Sequence, residues 1–177
     1  MNTRQHTPMD IFIEGWGRMG AEWGVSKVMA EIYALLYLMK EPLTLDDISE
    51  KLKTSRSNAS LNVRALSDLG VVKKLVIRGE RKDYYEAEKD ITKVAKLLAM
   101  AKKRKELDPA MEIVEAALVA AGESDQPLDD VSNRTVERLQ ELRRHMDFVN
   151  AIFAAFAGGE ADASGLANVI RIKDNHQ

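Results

Sequence analysis

The chain has 177 residues, 45% of them hydrophobic and 31% charged, and its 26 basic and 28 acidic residues give a net charge of −2. That composition suits a folded domain with a core of its own and excludes wholesale disorder. Cysteine is absent, which removes disulfide scaffolds, zinc ribbons, iron–sulfur clusters and thiol nucleophiles together.

The N-terminal run MNTRQHTPMD has no apolar stretch, and no segment approaches the ~18 apolar residues of a membrane helix. The expectation is a soluble cytoplasmic protein with no signal peptide. Residues 9–24 read as one helix, in which Gly17, Gly20 and Gly24 admit a close neighbour at some cost in helix propensity. Residues 26–40 form the next helix. Ser26 is its N-cap, and Val28, Ile32, Leu35, Leu36 and Met39 share a face until Pro42 stops it.

TLDDISEKL (44–52) is a short helix capped by Thr44, with Asp46 and Asp47 in its first turn and Leu45, Ile48 and Leu52 facing inward. After a polar break at 53–55, residues 56–69 make another helix, held by Ala59, Val63, Leu66 and Leu69, with Gly70 at its C-terminal end. VVKKLVI (71–77) and YYEAE (84–88) are strands about the turn RGERKD, which makes a hairpin. A helix runs from Asp90 to near Pro109 and resumes to about Ala121; GESDQP (122–127) is a loop, and 129–157 is the last long helix. In the tail after the last helix, VIRI (169–172) offers a docking segment. The predicted class is mainly α with a small β-hairpin: a winged helix-turn-helix domain plus long dimerisation helices.

Charge is unevenly placed. Residues 53–82 carry eight basic and two acidic residues, a local +6 on a body of −8. On charge alone, an anionic partner and a solvated face are equally good readings. The order of elements is more specific. Two short helices meet at a polar turn, and the second has a scaffold face and an outward face. The outward face offers Arg56, Ser57, Ser60, Leu61 and Arg64, a mixture that suits base edges and a thymine methyl in a major groove. Ser55, Asn58 and Asn62 complete the candidate set on this helix. The tip supplies Arg78, Gly79, Arg81 and Lys82 for phosphate or the minor groove. The predicted partner is double-stranded DNA. The alternative is a protein-docking module in which the wing and an exposed Leu61 meet another protein.

Other signals are weaker. Gly15–Gly20 satisfies GxGxxG, but no second strand and acidic residue follow it, as a dinucleotide fold requires. His6, His145 and His176 are scattered, and no metal site, cofactor or catalytic group is predicted. Lys102 to Lys105 form a basic face, either solvated or touching phosphate. Trp16, Trp23, Tyr33 and Tyr37 are candidate rings for an effector cage around a quaternary amine, or ordinary packing residues. Leu139, Leu142, Met146, Val149, Phe153 and Phe156 recur in steps of three and four, an a/d seam. The seam packs on the same helix of a second subunit or on the N-terminal helix.

The segment EPLTLDDISEKLKTSRSNASLNVRALSDLGVVKKLVIRGERKDYYEAEKD (41–90) resembles the winged-helix domain of MarR-type transcription regulators, and most of all their GbsR-like branch. SNASLNVRALSDLGVV is similar to that branch's recognition helix, RGERKDYYEAEKD to its wing, and KKRKELDPA to a basic stretch ending in Asp-Pro. The resemblance covers about residues 10–120 and implies a dimeric, ligand-responsive transcription regulator that is not an enzyme. Better-known members control uptake or synthesis of compatible solutes, so the implied effector is a small osmolyte-like or quaternary-amine molecule. Ser57 stands where many relatives carry Gly, and Leu61 where they often carry Met, so the operator does not carry over. The expected organisation is an N-terminal packing and dimerisation helix (1–25), a winged helix-turn-helix (26–90), a helical dimerisation and effector region (91–157) and a tail (158–177).

Overall fold

The computed structural model describes residues 7–122 and 129–158. The tail, VIRI, His6, His176 and most of the loop at 122–127 lie outside them. The chain divides into a unit ending at Leu97 and a second one beginning at Leu98.

In the first unit, helix α1 (Pro8–Glu22) is followed by α2 (Lys27–Leu38), strand β1 (Leu43–Thr44), α3 (Leu45–Leu52), α4 (Arg56–Asp68), β2 (Val72–Val76) and β3 (Asp83–Ala87), and α5 (Ile91–Lys102) begins. Local chemistry accounts for the starts. Thr7 with Asp10, and Thr44 with Asp47, each build a reciprocal capping box, and Ser55 Oγ accepts from the Asn58 amide at 3.1 Å. Lys53 (φ 50°) ends α3 and Gly70 (φ 76°) follows α4, both left-handed.

Burial follows the predicted faces. Ile32, Leu35 and Leu36 of α2, Ile48 of α3, and Val63 and Ala59 of α4 are fully shielded, joined by Leu66, Val71 and Tyr85. α1 lies close on α2 through Gly17 and Gly20, both buried. Gly24 has a different role from the one expected: it sits in the turn after α1 at φ 79°, with nothing packed on it. The GxGxxG run, with Ile11 to Ile13 before it, falls inside α1, so no strand-to-helix phosphate turn exists there.

The sheet has one more strand than expected. Leu43 and Thr44 pair antiparallel with Tyr85 and Tyr84, giving the order β1-β3-β2, with Val72 opposite Ala87 and Val76 opposite Asp83. Two residues carry no periodicity. The strand exists because β3 offers a free edge beside the start of α3.

In the second unit, the chain passes from α5 through a π-helical segment (Lys103–Leu107) into α6 (Asp108–Gly122), and α7 spans Asp130–Gly158. The break expected near Pro109 is therefore not a loop. A wider helical turn accommodates a residue that cannot donate its amide, and the helix continues. α6 and α7 pack side by side, tied by Arg143 to Glu115 at 2.6 Å. No residue of α7 is buried.

Candidate nucleic-acid interface

Ala59, Val63 and Leu66 anchor α4 in the core, which turns the opposite side of the helix outward. Arg56, Ser57, Ser60, Leu61 and Arg64 line a shallow, open concavity of about 390 Å³ on that side. Leu61 is 66% exposed there, an apolar side chain between two arginines.

The remaining candidates on α4 do other work. Ser55 serves as the N-cap through its oxygen and stays exposed. Asn58 Nδ2 donates to Thr54 Oγ1 at 2.9 Å, and Asn62 Nδ2 donates to the Asn58 carbonyl and Oδ1 at 2.8 and 2.9 Å. Asn62 is only 7% exposed, so it braces the helix from the protein side and is removed from the candidate DNA contacts. Its spacing from Ala59 and Leu66 puts it on the inward side, where its amide is satisfied by its own helix.

The wing turns at Gly79 (φ 92°), with the Glu80 amide donating to the Ile77 carbonyl at 3.0 Å. Arg78, Gly79, Arg81 and Lys82 are all exposed. Asp83 pairs with Lys74 at 2.8 Å, not with Arg81. Arg64, Arg78 and Arg81 form no ion pair among the described residues. Arg56 and Lys82 do: Asp46 receives Arg56 Nε at 2.8 Å and Lys82 Nζ at 3.3 Å. Lys82 and Arg56 together hold the Asp46 carboxyl below its ordinary range. The sequence placed Asp46 only as an acid in a helix's first turn; nothing local announces partners on α4 and the wing.

Two further residues fix the base of the wing. Glu88 accepts from Lys93 Nζ at 2.5 Å and from the Lys89 and Asp90 amides, with Lys73 at 3.7 Å. The Lys93 ammonium, then the Asp90 amide, bring its carboxyl down to about 2. Lys89 Nζ donates to the carbonyls of Leu36, Tyr37 and Met39 at the end of α2, so a cation closes that helix terminus.

The aromatic residues do not converge. Tyr33 is buried and donates to the Glu88 carbonyl at 3.1 Å; burial first, then Tyr37 and Glu88, push its hydroxyl up to about 12. Tyr33 stacks on Tyr37, whose ring already has Lys89 Nζ over it at 5.4 Å. Trp16 stacks on Phe12 and packs against the core, while Trp23 stands 68% exposed after α1. Of the two readings, these rings fit packing: core residues, a helix clasp and one exposed indole.

In the second unit, Met146 of the a/d seam faces α6 and lines a depression of about 240 Å³ with Met111, Val114, Glu115 and Arg143. Leu142 and Val149 remain 48% and 39% exposed, and Leu139, Phe153 and Phe156 are half-buried. The seam thus has an intrachain neighbour in α6 and an apolar remainder. Of the basic run, Lys102 pairs with Glu106 and Lys103 with Asp108, leaving Arg104 and Lys105 exposed. Among the described residues, no group of three His, Asp or Glu is gathered for a metal, and no helix is long and apolar enough to cross a membrane.

No family model matches the chain. Among characterised proteins it is similar to the HTH-type transcriptional repressor GbsR of Bacillus subtilis, 25% identical over 157 residues, which covers 85% of this chain and 87% of that protein. The putative HTH-type transcriptional regulator YvaV of the same organism is 31% identical over 81 residues, 46% of either chain. A crystal structure described as a transcriptional regulator superposes with a TM-score of 0.65 over 88% of this chain and 99% of that one, at 17% identity, a likeness of fold. These relatives are regulators, not enzymes. Over most of its length the chain is thus similar in sequence to a protein named as an HTH-type transcriptional repressor, and it shares its helix-turn-helix and winged fold with a solved transcriptional regulator.

Proposed function

We propose that the chain is a sequence-specific, DNA-binding transcription regulator that acts as a homodimer on an inverted-repeat operator. One observation carries the reading. The outward side of α4 presents Arg56, Ser57, Leu61 and Arg64 on a helix locked by buried Ala59, Val63 and Leu66, and the wing sets Arg78, Arg81 and Lys82 beside it. Two such helices in one dimer enter successive major grooves about one helical turn apart, with the wings on flanking backbone. The similarity to a protein named as an HTH-type repressor over 85% of the chain supports the same reading.

The dimer is proposed on the apolar remainder of α7, where Leu142, Val149 and Ile152 lie in water in a single copy. A cytoplasmic location goes with this reading. A small-molecule effector, osmolyte-like or a quaternary amine, is proposed from the family resemblance. It releases DNA by no more than its differential affinity for a dimer with the wrong helix separation.

The test is binding of random-sequence duplexes across salt, followed by selection of a preferred sequence from a random pool. Between 50 and 200 mM salt, affinity should fall by about 10³-fold or more for a dimer neutralising six or more phosphates. Absent or salt-insensitive binding overturns the reading and favours a protein-docking module centred on Leu61.

A further inference from the structure

Asp46 occupies the first turn of α3 next to Asp47, but only Asp47 serves the capping box. The oxygens of Asp46 go elsewhere: Oδ1 to Arg56 Nε at 2.8 Å, and Oδ2 to Lys82 Nζ at 3.3 Å. One carboxylate therefore joins three elements: α3, the first residue of α4, and the wing tip. The pair leaves Arg56 69% exposed on its side chain, so the residue remains open to a ligand.

The edge used matters. A hydrogen bond at Nε restrains the guanidinium plane and leaves the two terminal nitrogens unengaged by Asp46. Those two nitrogens form the fork that matches guanine O6 and N7. A long side chain already held in one orientation has less freedom to lose when it binds. The same carboxylate subtracts one charge from two cations that otherwise grip any phosphate.

We propose that Asp46 is a positioning residue for base reading: it aims the Arg56 fork at a guanine and, by occupying Arg56 and Lys82, holds down binding to non-operator DNA. This rests on the DNA-binding reading above and deepens it. The two effects have opposite signs in one variant. Without the carboxylate, the cations are free for any backbone, so binding to arbitrary duplexes strengthens. The unrestrained Arg56 reads its base less well, so discrimination falls.

The probes are a duplex selected from a random pool by the wild-type protein and a scrambled duplex of equal composition. Asp46→Asn should bind the scrambled duplex about two- to fivefold more tightly. It should raise the salt slope by about 0.9 per subunit. Its selected-to-scrambled affinity ratio should fall by about fivefold or more, within what one bidentate base contact supplies. Asp46→Glu, which keeps the charge, should recover most of the ratio. In an Arg56→Ala background, Asp46→Asn should leave the ratio unchanged, since Asp46 acts through Arg56.

An unchanged ratio in Asp46→Asn overturns the proposal. So does a further drop in the Arg56→Ala background, and so does weaker binding to both duplexes, the mark of a damaged α3. If the wild-type protein selects no sequence and binds without salt dependence, the DNA-binding reading itself fails, and the variants are not what failed it.

Discussion

A β-carbon placed on Gly20 meets the β-carbon of Ala30 at 2.5 Å, so the contact of α1 with α2 is set at one point by the absence of a side chain. Gly17 is comparably close to Glu31, but there the obstacle is a flexible side chain. Gly15, in the same helix, has nothing within 4 Å. Gly20→Ala should therefore destabilise the protein by about 1–3 kcal/mol despite its better helix propensity. Gly15→Ala should stabilise it by about 0.5–1 kcal/mol. Urea unfolding of both variants checks the pair, and equal signs would refute the close approach.

The recognition helix and the wing should fail differently. Arg56→Ala should cost about 1–3 kcal/mol on the selected duplex and flatten the preference among sequences. Lys82→Ala should weaken all duplexes alike and lower the salt slope by about one per subunit. Competition binding with selected and scrambled duplexes at two salt concentrations separates them. Equal loss on both duplexes for Arg56→Ala would make it a phosphate contact.

Glu88 gives the fold an acid limit. Its carboxyl is held at about 2, against 4.5 for the free group, first by Lys93 and then by the Asp90 amide. The unfolded chain takes up the proton first as pH falls, so the stabilisation is complete above about pH 4.5 and disappears as pH drops toward 2. Glu88→Gln should be less stable than wild type at pH 7, and the gap should narrow at pH 3. Urea midpoints at the two pH values measure it; a constant gap would place the effect in packing alone.

Lys89 replaces the next turn of α2. Its ammonium meets the Leu36, Tyr37 and Met39 carbonyls at 2.7, 2.5 and 3.0 Å, and partial burial lowers its own pKa. Lys89→Met keeps the aliphatic stem but leaves those carbonyls to water. It should destabilise the first unit by about 1–3 kcal/mol. Hydrogen exchange should locate the loss at the end of α2.

The dimer prediction rests on side chains open in one copy. Leu142 and Val149 are exposed on α7, whereas Met146 already faces α6. Leu142→Glu with Val149→Glu should shift the protein from dimer to monomer at micromolar concentration, because each introduces a charge without a partner into a contact that excludes water. Light scattering reads the mass. A wild-type monomer would remove both the interface and the inverted repeat.

The architecture was legible because it is written in local rules. Capping residues at Thr44 and Ser26, the faces carrying Ile32, Ile48 and Val63, and the glycines at 70 and 79 act over one or two helical turns. So was the outward set of Arg56, Ser57, Leu61 and Arg64, since anchoring one side of a helix exposes the other. What could not be read depended on contacts made only in the folded chain, several of them between residues distant in sequence. β1 is a strand only because β3 lies alongside it. Asn62 is inward because Asn58 satisfies its amide within a packed helix. Tyr33 stacks on Tyr37 and Trp16 on Phe12, and only these contacts decide between packing and a cage. Asp46 bridges Arg56 and Lys82, and Lys89 caps a helix more than fifty residues earlier in the chain. Periodicity tells which side of an element is buried, but an ion pair or a strand edge depends on which element folds against it.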